Sequence, residues 1–194
     1  MIVFALAGWS GFFVMAVELL SGRVLAPSFG NSIYVWGAVI TVFMLALAVG
    51  YLAGGHFSVF SPSLRRLGTL LIAAGLTALP VVLFGNAVLD WIFDRVTDPR
   101  YGSLLASALL FFVPTAISGA VSPYAVRLLV SDLSGSGKSA GSLYFVSTFG
   151  SAAGTILTSF YLVLLFEVNS IVLGLVLISV VLGLIAVVRR EPAQ

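Results

Sequence analysis

The sequence predicts an all-α integral membrane protein with six transmembrane helices, on three grounds. Of its 194 residues 60% are hydrophobic and only 8% charged, with a mean hydropathy of +1.18. A soluble domain carries roughly 25% charged residues, so this chain could not keep a wet exterior. The apolar residues fall into six runs, each close to the ~20 residues that cross a ~30 Å hydrocarbon core. In lipid such runs must be helical, because no water is present to satisfy free backbone groups.

The runs are expected to form one transmembrane domain covering 1–194. The first is predicted from about Ile2 to Leu20 and lacks the basic start of a secretory signal, so it reads as a retained helix. The second runs from Ile33 to about Gly55. The third covers Leu67 to Gly85, with Pro80 as a kink, and the fourth extends from Tyr101 to about Val130, where Pro114 and Pro123 are expected to bend or break it. The fifth spans about Gly141 to Phe166. The sixth covers Ser170 to Val188 and stops at Arg189 and Arg190.

Two connections carry patterns of their own. Asn86 to Arg100 places Asp90, Asp94 and Asp98 at helical spacing beside Ala87, Val88, Trp91, Ile92 and Phe93, which predicts a short interfacial helix on the outer surface. Ser131 to Ala140 reads as a flexible Gly/Ser linker. Its GSGKS run lacks the upstream glycine and the preceding strand of a phosphate loop. With the N-terminus inside, the inner side holds Arg65, Arg66, Arg127, Lys138, Arg189 and Arg190, and the outer side Arg23, Arg95 and Arg100. That asymmetry favours a multi-pass protein of the cell membrane with both termini cytoplasmic.

Composition narrows the chemistry. There is no cysteine and one histidine, His56, so thiolate and multi-histidine metal sites are excluded and no cofactor is implied. A net charge of +2, spread over the loops, argues against nucleic acid. No pairing of nucleophile and base is visible, which leans away from an enzyme.

Close-packing signals are stronger. Gly50 and Gly54 on the second helix, and Gly150 and Gly154 on the fifth, have the spacing that lets two helix backbones approach. They serve either packing inside one bundle or a homodimer face. A short internal match sets Asn31–Trp36, which contains Tyr34, against Gly141–Val146, which contains Tyr144. The two places lie three helices apart, which would make the chain two inverted three-helix repeats.

The pattern from Glu18 through Arg23, Pro27 and Gly30 to Trp36, followed by GYLAGG at Gly50 to Gly55, resembles the membrane domain of spermidine-synthase-like (fused transporter-like/spermidine synthase) membrane proteins. A second block agrees: Pro114, Gly119 and Pro123, then Gly141, Tyr144, Gly150 and Gly154. The chain departs from the family's pattern at Ser147, where asparagine is usual, and at Leu164 and Glu167, where a Pro-x2-Gly is usual. The resemblance implies membrane handling of a polyamine-like cation. The soluble aminopropyltransferase domain that many members carry after the helices is not in this sequence, so aminopropyl transfer is not implied. A separate soluble spermidine-synthase-like protein, or other membrane subunits, are the implied partners besides the lipid bilayer.

Candidate binding residues follow from cost. A carboxylate in hydrocarbon costs about 2.5–3.5 kcal/mol on insertion scales, so Glu18 needs either a partner or water. A helix break after Leu20 is expected to let Arg23 reach it, with Gly22 and Pro27 making the break; otherwise Glu18 serves a substrate or proton. Tyr34 and Trp36 are interface anchors that could also face a cation. Asp90, Asp94 and Asp98 form the other candidate cation site. The expected function is transport of a small cationic metabolite, with a scaffold that docks a soluble enzyme as the alternative.

Overall fold

The computed structural model describes residues 1–60, 62–130 and 136–189. The described residues form α1 (Ile2–Phe29), α2 (Ile33–Phe57), α3 (Leu64–Phe93), α4 (Pro99–Leu129), α5 (Ser136–Leu165) and α6 (Val168–Val188). Each is long and apolar enough to cross a membrane, as the hydropathy predicts. Near its end α5 widens into a π-helical turn, Thr158–Leu162. Of the predicted Ser131–Ala140 linker, residues 131–135 lie outside the described residues, as does Arg190; Ser136 onward is already helix.

The helix ends correct the sequence reading in two places. α1 does not break after Leu20 but runs on through Gly22, Arg23 and Pro27. Pro27 sits in the last turn, so the bond it removes, to the Arg23 carbonyl, disturbs only the two helical residues that follow. Gly22 stays helical with the Trp36 ring lying against it, and α1 ends at Gly30, whose φ of +76° suits glycine. The predicted interfacial helix is instead the last turns of α3, because Val81, Gly85, Leu89 and Ile92 continue one buried stripe past Gly85. In α4, Pro114 and Pro123 lie within one unbroken helix. Neighbouring helices enclose it more than any other span, with 56% of its central window buried, and hold the backbone where two hydrogen bonds are lost.

The packing is organised by two parallel pairs. α2 lies along α4, and α5 lies along α1, while α1 and α4 cross antiparallel. α3 packs on α4 and, antiparallel, on α6, where Gly68 meets Gly183 and Gly75 meets Val176 and Ser179. In the α2–α4 seam, a Cβ at Gly50 would overlap the Ala116 carbonyl and one at Gly54 the Ala120 carbonyl. In the α1–α5 seam, a Cβ at Gly150 would overlap the Gly8 carbonyl and one at Gly154 the Phe12 carbonyl. All four glycines are therefore spent inside this chain's own bundle, which is where the packing alternative placed them.

Tyr34 lies in the first turn of α2, whereas Tyr144 lies well inside α5. The two tyrosines thus stand at different heights in their helices, and the short sequence match between them is not a structural correspondence.

Gly50→Leu should lower thermal stability in detergent by about 1–3 kcal/mol, the usual cost of overpacking. Gly37→Leu, on the same helix facing open space, should change it little. Equal effects at both positions, read from midpoints of thermal unfolding, would remove the seam as a stability determinant.

Candidate functional site

Ser10 of α1 and Ser118 of α4 meet where the two helices cross, Ser10 Oγ donating to the Ser118 carbonyl at 2.9 Å. Trp9, next along α1, donates from Nε1 to Ser179 Oγ at 2.8 Å. Ser179 stands near the middle of α6, whose 21 residues are about the length that crosses a hydrocarbon core. These bonds put the crossing level with the middle of α6.

A polar crevice opens at that level. α2 and α5 flank the crossing without an extensive seam between them. The space left is a cavity of about 340 Å³ lined by Tyr51, Ser122, Pro123, Tyr144, Ser147, Thr148 and Ser151. A smaller recess of about 80 Å³ shares Tyr51, Ser122, Ser147 and Ser151 and reaches inward to Ser10, Gly11, Ser118 and Gly119. Glycine brings the recess walls together: a Cβ at Gly11 would overlap the Ser147 carbonyl. Ser122 and Ser147 approach across it, Oγ to Oγ, at 3.5 Å. Ser151 Oγ donates to the Ser147 carbonyl at 3.1 Å.

A cavity of about 370 Å³ also lies between α1, α5 and α6, but its lining is almost wholly apolar, from Trp9 and Phe12 to Leu175 and Ile178. Binding sites combine apolar walls with a few convergent polar groups, and it is the serine crevice that has them.

The residues singled out from the sequence stand elsewhere. Glu18 is half-buried on α1, and its carboxylate has no ion pair or hydrogen bond among the described residues. Arg23 is exposed on the same continuous helix. Five residues turn a helix by about 500°, so the two side chains diverge, and the expected Glu18–Arg23 pair does not form. Neither lines the crevice.

Tyr34 is exposed at 56%, and its ring already faces a cation, the Arg100 guanidinium at 4.8 Å. Trp36 donates from Nε1 to Asn31 Oδ1 at 2.7 Å, closing the α1–α2 turn. Asp90 and Asp94 are exposed at the end of α3. Asp98 does not continue their face: it caps α4, accepting from the Arg100 N–H at 2.9 Å, and lies 3.7 Å from Arg100 Nε. The three aspartates therefore do not make one helical stripe. Trp91 is likewise covered by Arg95, 4.7 Å from its ring. Among the described residues no cluster of His, Asp or Glu could hold a metal.

Sequence reasoning passed over Ser10, Tyr51, Ser118, Ser122 and Ser151. The available signal was spacing: Ser118 and Ser122, and Ser147 and Ser151, each recur at i, i+4 within apolar helices, which aligns them on one face.

No protein-family model, curated protein or solved structure matches this chain.

With Glu18 and Arg23 unpaired, Glu18→Gln should raise stability by relieving a half-buried carboxylate, Arg23→Ala should change it by no more than about 0.5 kcal/mol, and a double-mutant cycle should show no coupling. A coupling of about 1 kcal/mol or more would restore the ion pair.

Proposed function

We propose that this chain is a membrane transport module in which two inverted three-helix halves carry a small polar solute through the serine crevice. The observation that carries the reading is the crevice itself: convergent hydroxyls beside a crossing level with the middle of α6, where in a membrane polar groups are costly and mark solute pathways.

A common register supports the inverted halves. It sets Gly8 against Ala116, Ser10 against Ser118, Gly11 against Gly119 and Phe12 against Ala120. A second register sets Gly50 against Gly150 and Gly54 against Gly154. Under this exchange the α2–α4 seam becomes the α5–α1 seam, contact for contact. Gly68 against Gly183 on α3 and α6 likewise becomes Val176 against Gly75. The Ser10–Ser118 contact then lies on the pseudo-two-fold axis, and the crevice lies beside it. Transporters built from inverted repeats place their sites at this junction and alternate access by rocking one half on the other. In this reading both termini are cytoplasmic, as the distribution of Arg and Lys favours.

The polyamine reading places a cation at Glu18 or at Asp90, Asp94 and Asp98, none of which lines the crevice. It therefore rests on the family resemblance alone. The scaffold reading draws on α5, of whose span only 11% is buried and which presents Phe145, Phe149 and Phe160 outward.

The test is solute exchange in proteoliposomes across a panel of small polar solutes. Ser147→Phe, which fills the crevice, should reduce transport at least tenfold, while Asp94→Asn should leave it unchanged. Transport indifferent to Ser147→Phe would overturn the reading. In a separate check, reporter fusions at both termini should report the cytoplasm; an outward terminus would invert the proposed topology.

A further inference from the structure

We infer that the crevice selects an uncharged, polyhydroxylated solute, such as a small polyol, and rejects ions. This rests on the transport reading and specifies its substrate class.

Ser10 and Ser151 give their protons to backbone carbonyls and so turn lone pairs toward the recess. Ser122 and Ser147 can share only one proton between them, at 3.5 Å, leaving a second to donate. Ser118 is only 3% exposed, yet its hydroxyl has no hydrogen-bond partner among the described residues. Among the described residues the hydroxyls sealed away without a partner are those of Ser107 and Thr158, so the Ser118 hydroxyl stays accessible to a guest in the recess that can bond to it. The phenols of Tyr51 and Tyr144 add two further groups at the rim that can donate or accept. Donors and acceptors are thus mixed, which matches the two-way bonding of a hydroxyl better than the one-way bonding of an ammonium or a carboxylate.

The charge inventory points the same way. None of the residues lining the recess or the wider cavity is Asp, Glu, Lys, Arg or His. Moving an unpaired ion to low dielectric is far more costly than moving a hydroxyl whose bonds are replaced. Hydroxyls here can replace water around a polyol, but no opposite charge stands ready for an ion. The two tyrosine rings and Pro123 also offer apolar surface to the C–H faces that a polyol presents between its hydroxyls.

The experiment uses the full chain in proteoliposomes and follows shrink–swell kinetics by light scattering with glycerol, erythritol and ribitol. Labelled spermidine and labelled acetate serve as the ionic comparison. Polyol entry should be at least tenfold above protein-free vesicles, saturable, and unchanged by an imposed membrane potential. Tyr51→Phe and Ser118→Ala, which remove one oxygen each, should slow it several-fold. Folding of each variant is checked by its thermal midpoint, which should stay at the wild-type value. Entry of spermidine or acetate that falls with Ser118→Ala, without polyol entry, would overturn the uncharged-substrate inference while keeping the crevice as the route. Absence of protein-dependent entry for every solute would overturn both.

Discussion

Glycine set against backbone carbonyl decides how this bundle assembles. Helices in lipid gain nothing from hiding apolar surface from one another, so close van der Waals approach and polar contacts must hold them together. Gly50 and Gly54 bring α2 onto the carbonyls of Ala116 and Ala120, and Gly150 and Gly154 bring α5 onto those of Gly8 and Phe12. With each outer helix committed to its own inner partner, α2 and α5 stand on either side of the α1–α4 crossing and do not close over it. The crevice is the space that this commitment leaves. Further small residues, Gly11 and Gly119, line its inner end at the crossing itself.

Polar groups are divided by height. The hydroxyls of Ser10, Ser118, Ser122, Ser147 and Ser151 gather around the crossing, and most charges lie at helix ends. At the α3–α4 connection the charges largely satisfy one another and the nearby rings: Arg95 covers Trp91, Arg100 covers Tyr34, and Asp98 caps α4 beside Arg100. An aromatic face already holding an arginine is a poor receptor for another cation. Glu18 is the exception to the division, half-buried on α1 without a partner among the described residues, and the crevice does not reach it.

The six spans were legible because hydropathy reports directly what lipid requires. Helix ends were less so. Local signals at Gly22 and Pro27 suggested a break in α1, but the Trp36 ring packed against Gly22 and the late position of Pro27 leave the helix intact. Leu89 and Ile92 belong to the core rather than to a surface helix, and only their neighbours in space reveal it. The glycine pairs could be recognised as seams, but not assigned to the Ala116–Ala120 and Gly8–Phe12 backbones, because carbonyls carry no sequence signature. Attention to scarce charges favoured Glu18 and the aspartates. The serines escaped notice because serine is common and its side chain becomes a site only when three helices bring several together.

The central claim, a hydrated crevice at mid-membrane, is tested most directly by cysteine labelling in a chain that has no cysteine of its own. A thiol reacts with a polar maleimide as the thiolate, which forms in water and not in hydrocarbon. With the protein in sealed bilayers, Ser147→Cys should label readily. Phe149→Cys, exposed on the outer face of α5, and Ala125→Cys, buried in α4, should remain unmodified. If Ser147→Cys were as inert as those two, the crevice would be closed or filled by lipid, and no polar solute could pass through it.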